Sequence, residues 1–214
     1  MVGGRLRDLC LRPAAHGPEQ LVTQLMTKVK EEESMNEWYS APDSPELAEF
    51  GPARGLGVSG VGAPGGPEHL AAIQALSAVA ARLLGDRVPA LEGRWWVEDD
   101  RPPLAVPRAQ WRWHLFVRLP ESVEPAAVEA ARQATGLPTA ARVQVVMFAE
   151  GSCVQAMHHG SYDQEPKTLA RIDRFMQERG LVANGLHHEL YLSDVRETDP
   201  AKMRTILRQP VRAG

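Results

Sequence analysis

What most limits the fold open to this chain is an order of apolar periodicities that occurs twice. Alternation over 53–62 gives way to a helical stripe from Pro67 to Leu84, then to two further alternating stretches at 91–97 and 110–117. A helical segment follows from Glu124 or Pro125 to Thr135. The pattern then returns, with strands over 142–148 and 153–159, a helix from about Glu165 to Arg179, and strands over 186–194 and 202–211. The spacing predicts an α+β fold in which a strand-helix-strand-strand module is duplicated. Two antiparallel halves set side by side leave a groove along their seam, where small ligands commonly bind.

Local punctuation supports these limits. Pro67 stands in a first helical turn and Gly85 stops that helix, Gly136 and Pro138 close the second, and Gly180 closes the third. The first helix carries Leu70, Ile73, Leu76, Val79, Ala80 and Leu83 as its apolar stripe. Ala149-Glu150-Gly151-Ser152 reads as a tight hairpin turn between two strands. Residues 1–52 mix proline, glycine and charge and are expected to form an extension with one amphipathic helix over Pro18–Glu33. The domain proper is expected over 53–211. Gly55, Gly57 and Gly60 are spaced as in a dinucleotide loop, but the strand-turn-helix context that motif needs is missing.

Composition excludes several functions. Lys and Arg number 24 against 27 Asp and Glu, for a net charge of -3, so the chain carries no nucleic-acid footprint. Cys10 and Cys153 stand in no ligand or redox pattern, and no apolar run is long enough to span a membrane. The start Met-Val-Gly-Gly-Arg-Leu-Arg lacks a signal-peptide core. A cytoplasmic protein with a small-molecule partner, and with no nucleic-acid or membrane partner, is the expectation.

The chemistry concentrates at 186–194. On a strand Glu189 and Tyr191 share a face with His187, and His188, Leu190 and Leu192 take the other. An acid and a phenol projecting together suit a pocket that recognises a cation or handles protons. Four of the five tryptophans crowd between Trp95 and Trp113. Trp111 and Trp113 share a face, whereas Trp95 and Trp96 point to opposite faces, so either can join them. Phe148, Met157 and His159 are candidate lining residues, the last two sharing a face, and Tyr162 follows a turn at the mouth of a helix. His158, His159, His187 and His188 form adjacent pairs whose members point apart, so neither a metal nor another cofactor is expected.

Three stretches carry a resemblance: Cys153-Val-Gln-Ala-Met-His-His-Gly-Ser-Tyr162, His187-His-Glu-Leu-Tyr-Leu-Ser-Asp194 and Thr205-Ile-Leu-Arg-Gln-Pro-Val211. Together they resemble the GyrI-like small-molecule-binding family, related to effector domains of AraC-type and MerR-type regulators. The resemblance implies two strand-helix-strand-strand modules of the SHS2 type, with helices on one side and a pocket lined by aromatics and one acid. By motif position that acid is Glu189.

With the double-tryptophan strand and no preceding helix-turn-helix, the chain also resembles the stand-alone cyclopropanoid cyclopropyl hydrolases, which open the cyclopropane of DNA-alkylating natural products such as yatakemycin and CC-1065. This implies that Trp95 or Trp96, Trp111, Trp113 and Tyr191 are the aromatic positions. Glu189 would then orient or deprotonate water, Tyr191 would donate to the substrate's carbonyl oxygen, and the tryptophans would hold the planar drug. The alternative is a non-catalytic binder that captures cationic aromatic drugs by charge and cation-π attraction. The glycine-rich first strand and the proline-rich 101–107 turn depart from the family pattern and are expected to reshape one end of the pocket.

Overall fold

The computed structural model describes Met26 and residues 35–214. The chain divides into two compact units, Met1–Glu37 and Trp38–Gly214. Of the first, Met26 and Met35–Glu37 are described, all helical. The helix expected over Pro18–Glu33 otherwise lies outside the described residues.

The second unit contains, in order, β1 (Glu46–Val61), α1 (Pro67–Leu84), β2 (Leu91–Trp96), β3 (Arg112–Arg118), α2 (Pro125–Thr135), β4 (Gln144–His159), α3 (Glu165–Glu178), β5 (Leu181–Ala183), β6 (His187–Tyr191) and β7 (Arg204–Ala213). The strand-helix-strand-strand unit therefore occurs twice, as β1-α1-β2-β3 and β4-α3-β6-β7, with α2 as the link and β5 inserted. Sheet order is β4-β1-β3-β2-β6-β7-β5, and β4 also pairs with β7. All pairings are antiparallel, so six strands close into a ring and β5 hangs on the edge of β7. Two seams join the halves, β1–β4 and β2–β6.

The hairpin expected at 149–152 does not form. Gly151 adopts a left-handed backbone at φ +64, yet β4 continues through it in one register, with Phe50 opposite Gly151 and Pro52 opposite Ala149. The reason lies in the partners. β4 pairs with β1 over Gln144–Gln155 and with β7 over Cys153–His159, so one strand spans both halves and needs no reversal. β1 likewise begins at Glu46, upstream of the stretch that alternates most clearly.

Cross-strand pairs show which face each helix covers. Trp95 pairs with Trp113, and both lie in the core that Ala72, Ala75, Leu76, Val79 and Ala80 of α1 complete. Glu189 pairs with Leu207, which packs under Ile172 and Met176 of α3. Gly93 pairs with Glu189 and ties the two sets to a single face. Both helices therefore cover the same side of the ring, with the β2–β6 seam between them. The buried stripe of α1 is centred on His69, Ala72, Leu76 and Val79, and Leu70, a step of 100° away, is 55 % exposed. The opposite face buries Trp38, Phe50, Ala53, Phe116, Cys153, Leu190 and Ile206.

Candidate functional site between the two helices

Residues of the β2–β6 seam on the helix side are Leu91, Gly93 and Trp95 opposite Tyr191, Glu189 and His187. Trp95 Nε1 donates to Tyr191 Oη at 3.2 Å, and Tyr191 in turn donates to Glu189 Oε2 at 2.6 Å. Gly93 makes this chain possible. A Cβ there would sit 2.9 Å from Tyr191 Oη and 3.0 Å from Trp95 Nε1. Gly93→Ala is therefore expected to break the Trp95–Tyr191 bond and cost about 1–3 kcal/mol through overpacking, read as a lowered thermal midpoint with altered tryptophan emission.

Burial, and after it the Glu189 charge, push the Tyr191 phenol well above its ordinary range. The phenol thus stays protonated, with its proton committed to the carboxylate. Tyr162 stands edge-on to Tyr191 at 5.9 Å, and burial with the nearby acids raises it to about 12. His187 Nε2 lies 3.5 Å from Glu189 Oε1, off the line of a hydrogen bond.

Two residues complete the site that the sequence did not single out. Glu165 is the first residue of α3, a position where an acid ordinarily complements the helix dipole in solvent. Here it is buried, and its Oε1 has no hydrogen-bond partner among the described residues. Burial first, and then the charge of Glu189, raise its carboxyl to about 9, so Glu165 keeps its proton at neutral pH. His69 lies across the seam on α1, its ring 5.4 Å from Trp95 and 5.3 Å from Trp113. Burial lowers its pKa against the pull of Glu189, which keeps the imidazole neutral.

The aromatic candidates separate by face. Trp95, rather than Trp96, turns toward the seam. Trp111 meets it edge-on at 6.2 Å, its indole N–H anchored on the Val106 carbonyl at 3.1 Å, and Trp113 lies fully buried beneath His69. Trp96, half-buried, alternates to the opposite side of β2. Phe148 is also on that side, 4.9 Å from Phe116 and under Arg94. Met157 packs against the Trp38–Phe50 cluster, and His159 reaches Asp43 Oδ1 at 2.6 Å. Those four are therefore not gathered around Glu189.

The opposite face holds a buried ionic cluster instead. His188 lies 2.8 Å from Glu150 Oε1 and 2.9 Å from Glu92 Oε2. Arg208 reaches Glu150 at 3.0 Å, Gln155 at 3.1 Å and the Trp38 carbonyl at 2.7 Å, with its guanidinium between the Phe50 and Trp38 rings. Trp38 Nε1 and Tyr39 Oη both donate to Glu92. Opposite charges alternate through the cluster, with the His188 Nε2 contact to Glu92 off the line of a hydrogen bond, which gives the cluster a role in holding the ring closed. The four candidate histidines thus go to separate places: His158 to Thr168, His159 to Asp43, His187 beside Glu189, and His188 between two carboxylates.

The seam between the helices combines an edge-to-face pair of indoles, a carboxylate held by a phenol, and a protonated carboxyl. Such a set can stack a planar molecule, position water and exchange protons. The family model of the GyrI-like small molecule binding domain matches residues 45–212. The chain is similar to an uncharacterized conserved protein from Listeria innocua, with 35% identity over 86% of this chain and 98% of that one and a TM-score of 0.76. It is similar as well to a hydrolase from Listeria innocua, with 33% identity over the same shares and a TM-score of 0.72. The EcmrR C-terminal domain, 10% identical over 80% of this chain and 98% of its own, shares the fold with a TM-score of 0.55. No curated protein matches the sequence.

Proposed function

The chain belongs to the GyrI-like small molecule binding domain family, and on that premise we propose that it hydrolyses the cyclopropane ring of planar, DNA-alkylating dienones of the yatakemycin and CC-1065 type. The reading rests on one observation: the Glu189 carboxylate, held by Tyr191 at 2.6 Å, stands beside Trp95 on the seam that the buried Glu165 carboxyl, its Oε1 unpartnered among the described residues, also approaches. Similarity at 33% identity to a hydrolase supports turnover over binding alone.

The drug stacks on the indoles with its cyclopropane toward Glu189. The carboxylate takes a proton from a water whose oxygen bonds to the cyclopropane methylene carbon. The ring C–C bond breaks, and its electron pair moves through the conjugated ring to the carbonyl oxygen. That oxygen becomes a phenolate and takes a proton from Glu165, after which the carboxyl pair resets by passing the proton gained at Glu189 back to Glu165. The net change is addition of one water, with no redox step. Orientation in the cage supplies much of the rate, since effective molarities of roughly 10⁵ M or more are reached by well-placed reactants.

Mass spectrometry of such an alkylator after incubation with the protein tests this. A product heavier by one water, formed over many turnovers, is expected. Unchanged compound that still quenches tryptophan fluorescence would leave a binding protein, for which the same two carboxyls and indoles form a cage for a planar cation, captured with release of the Glu165 proton.

The carboxyl pair also sets a pH dependence. Because Glu165 is raised to about 9, its proton is available through neutral pH and is lost as the pH rises past that value. Turnover should fall on the alkaline side accordingly. In Glu165→Gln that limb should vanish and kcat should drop roughly 10²-fold.

A further inference from the structure

Three of the donors around the seam are committed. The Trp95 indole gives its proton to Tyr191, Tyr191 gives its proton to Glu189, and Trp111 gives its proton to the Val106 carbonyl. Tyr191 is therefore not free to bind a substrate oxygen. His69 differs. The Gly65 amide donates to its Nδ1 at 3.2 Å, so in the neutral ring the proton sits on Nε2. That Nε2 is buried and has no hydrogen-bond partner among the described residues, in a residue only 7 % exposed. The neighbouring Trp113 Nε1 is in the same condition, and the two rings meet edge-to-face at 5.3 Å. Orphaned buried donors lower stability, so two adjacent ones mark a place where an acceptor is expected.

We propose that the His69 Nε2–H is the donor that binds the carbonyl oxygen of the ligand, and that the site selects planar molecules carrying a conjugated carbonyl. This rests on the hydrolytic reading for its chemistry. As the cyclopropane C–C bond breaks, the electron pair arrives on that oxygen, and a fixed N–H aimed at it binds the developing phenolate more strongly than the ground-state carbonyl. The two walls of the seam then divide the work. Glu165 on α3, with Glu189 on the seam floor, handles protons, while His69 on α1 holds the oxygen.

The inference also tells against a site built for cations alone. An N–H donor repels a cation, and a purely cation-directed cage gains nothing from it.

The test compares the wild-type protein with His69→Phe, which keeps a flat ring and removes the donor, and His69→Gln, which keeps an amide donor. Tryptophan quenching by 9-fluorenone and by fluorene, planar tricycles with and without a carbonyl, reads the donor without requiring turnover. The wild type should prefer fluorenone by about tenfold. His69→Phe should bring that preference to about one, and His69→Gln should restore part of it. With the cyclopropane substrate, His69→Phe should lower kcat about 10²-fold.

A fluorenone preference equal in wild type and His69→Phe, or absent from the wild type, overturns the inference. Loss of the preference in His69→Phe with no hydrolysis by any variant upholds the carbonyl donor and removes the hydrolytic reading instead.

Discussion

Glu189→Gln is expected to lower kcat on a cyclopropane-bearing dienone by roughly 10²–10⁴-fold, with its affinity for a neutral planar ligand changed less than about threefold. The amide fits the same space, and its oxygen can still accept from Tyr191, which donates to Glu189 Oε2 at 2.6 Å in the native site. What it cannot do is take a proton from water. Removing the Glu189 charge also removes one of the two causes that raise Glu165, so the alkaline limit of any residual activity should move to lower pH. Steady-state kinetics across pH, paired with quenching titrations, separates the outcomes. Unaltered kcat would place the water-activating base elsewhere.

Arg208→Met is expected to destabilise the fold by about 3–5 kcal/mol, because it strands Glu150 in the interior. That corresponds to a fall of roughly 10 °C in the thermal midpoint of a chain this size. Methionine fills the space between Phe50 and Trp38, yet the hydrogen bonds to Glu150, Gln155 and the Trp38 carbonyl are lost.

The pH dependence carries a definite sign. Burial would raise Glu150, but His188 and Arg208 outweigh it and hold the carboxyl at about 2. Its contribution to stability is therefore present above the ordinary glutamate range and is lost as pH falls toward 2. Burial likewise opposes the charge on His188, but Glu150 and Glu92 prevail and raise its pKa. That contribution is complete below the ordinary histidine value of about 6.5 and is lost as pH rises through the raised one. The wild type should thus be most stable in mildly acidic solution. Without Arg208 the acid limb should begin at higher pH, and thermal melts between pH 3 and 9 would show it. A midpoint unchanged by the substitution would mean that the cluster contributes nothing net.

Much of the fold was legible because its signals are local. Pro67, Pro125 and Pro166 stand in the first turns of α1, α2 and α3, and Gly85, Gly136 and Gly180 follow their ends. The long strand β4 was misread as a hairpin for an equally physical reason. A glycine flanked by Glu150 and Ser152 carries the same local signature whether the chain reverses or merely twists, and the choice belongs to two partner strands distant in sequence. The site was half legible. Alternation put Glu189 and Tyr191 on one face, but it offered no means to choose Trp95 over Trp96. Glu165 carries only the signature of a helix start, and His69 stands beside a leucine that better fits an apolar stripe.

What the sequence determined by itself was the order of elements apart from β4 and β5, their duplication, and the sharing of one face by His187, Glu189 and Tyr191, because period and punctuation act within a few residues. Only the tertiary structure decided where those faces meet. Closure of six strands into a ring sets Gly93 opposite Glu189, joins Trp95 to Tyr191, and brings the starts of α1 and α3 to the two sides of one seam. The same closure assigns His188, Glu92, Glu150 and Arg208 to the far face as a structural cluster. The physical reason is that strand register and burial are settled by contacts between residues far apart in the chain, and no stretch of sequence contains both partners.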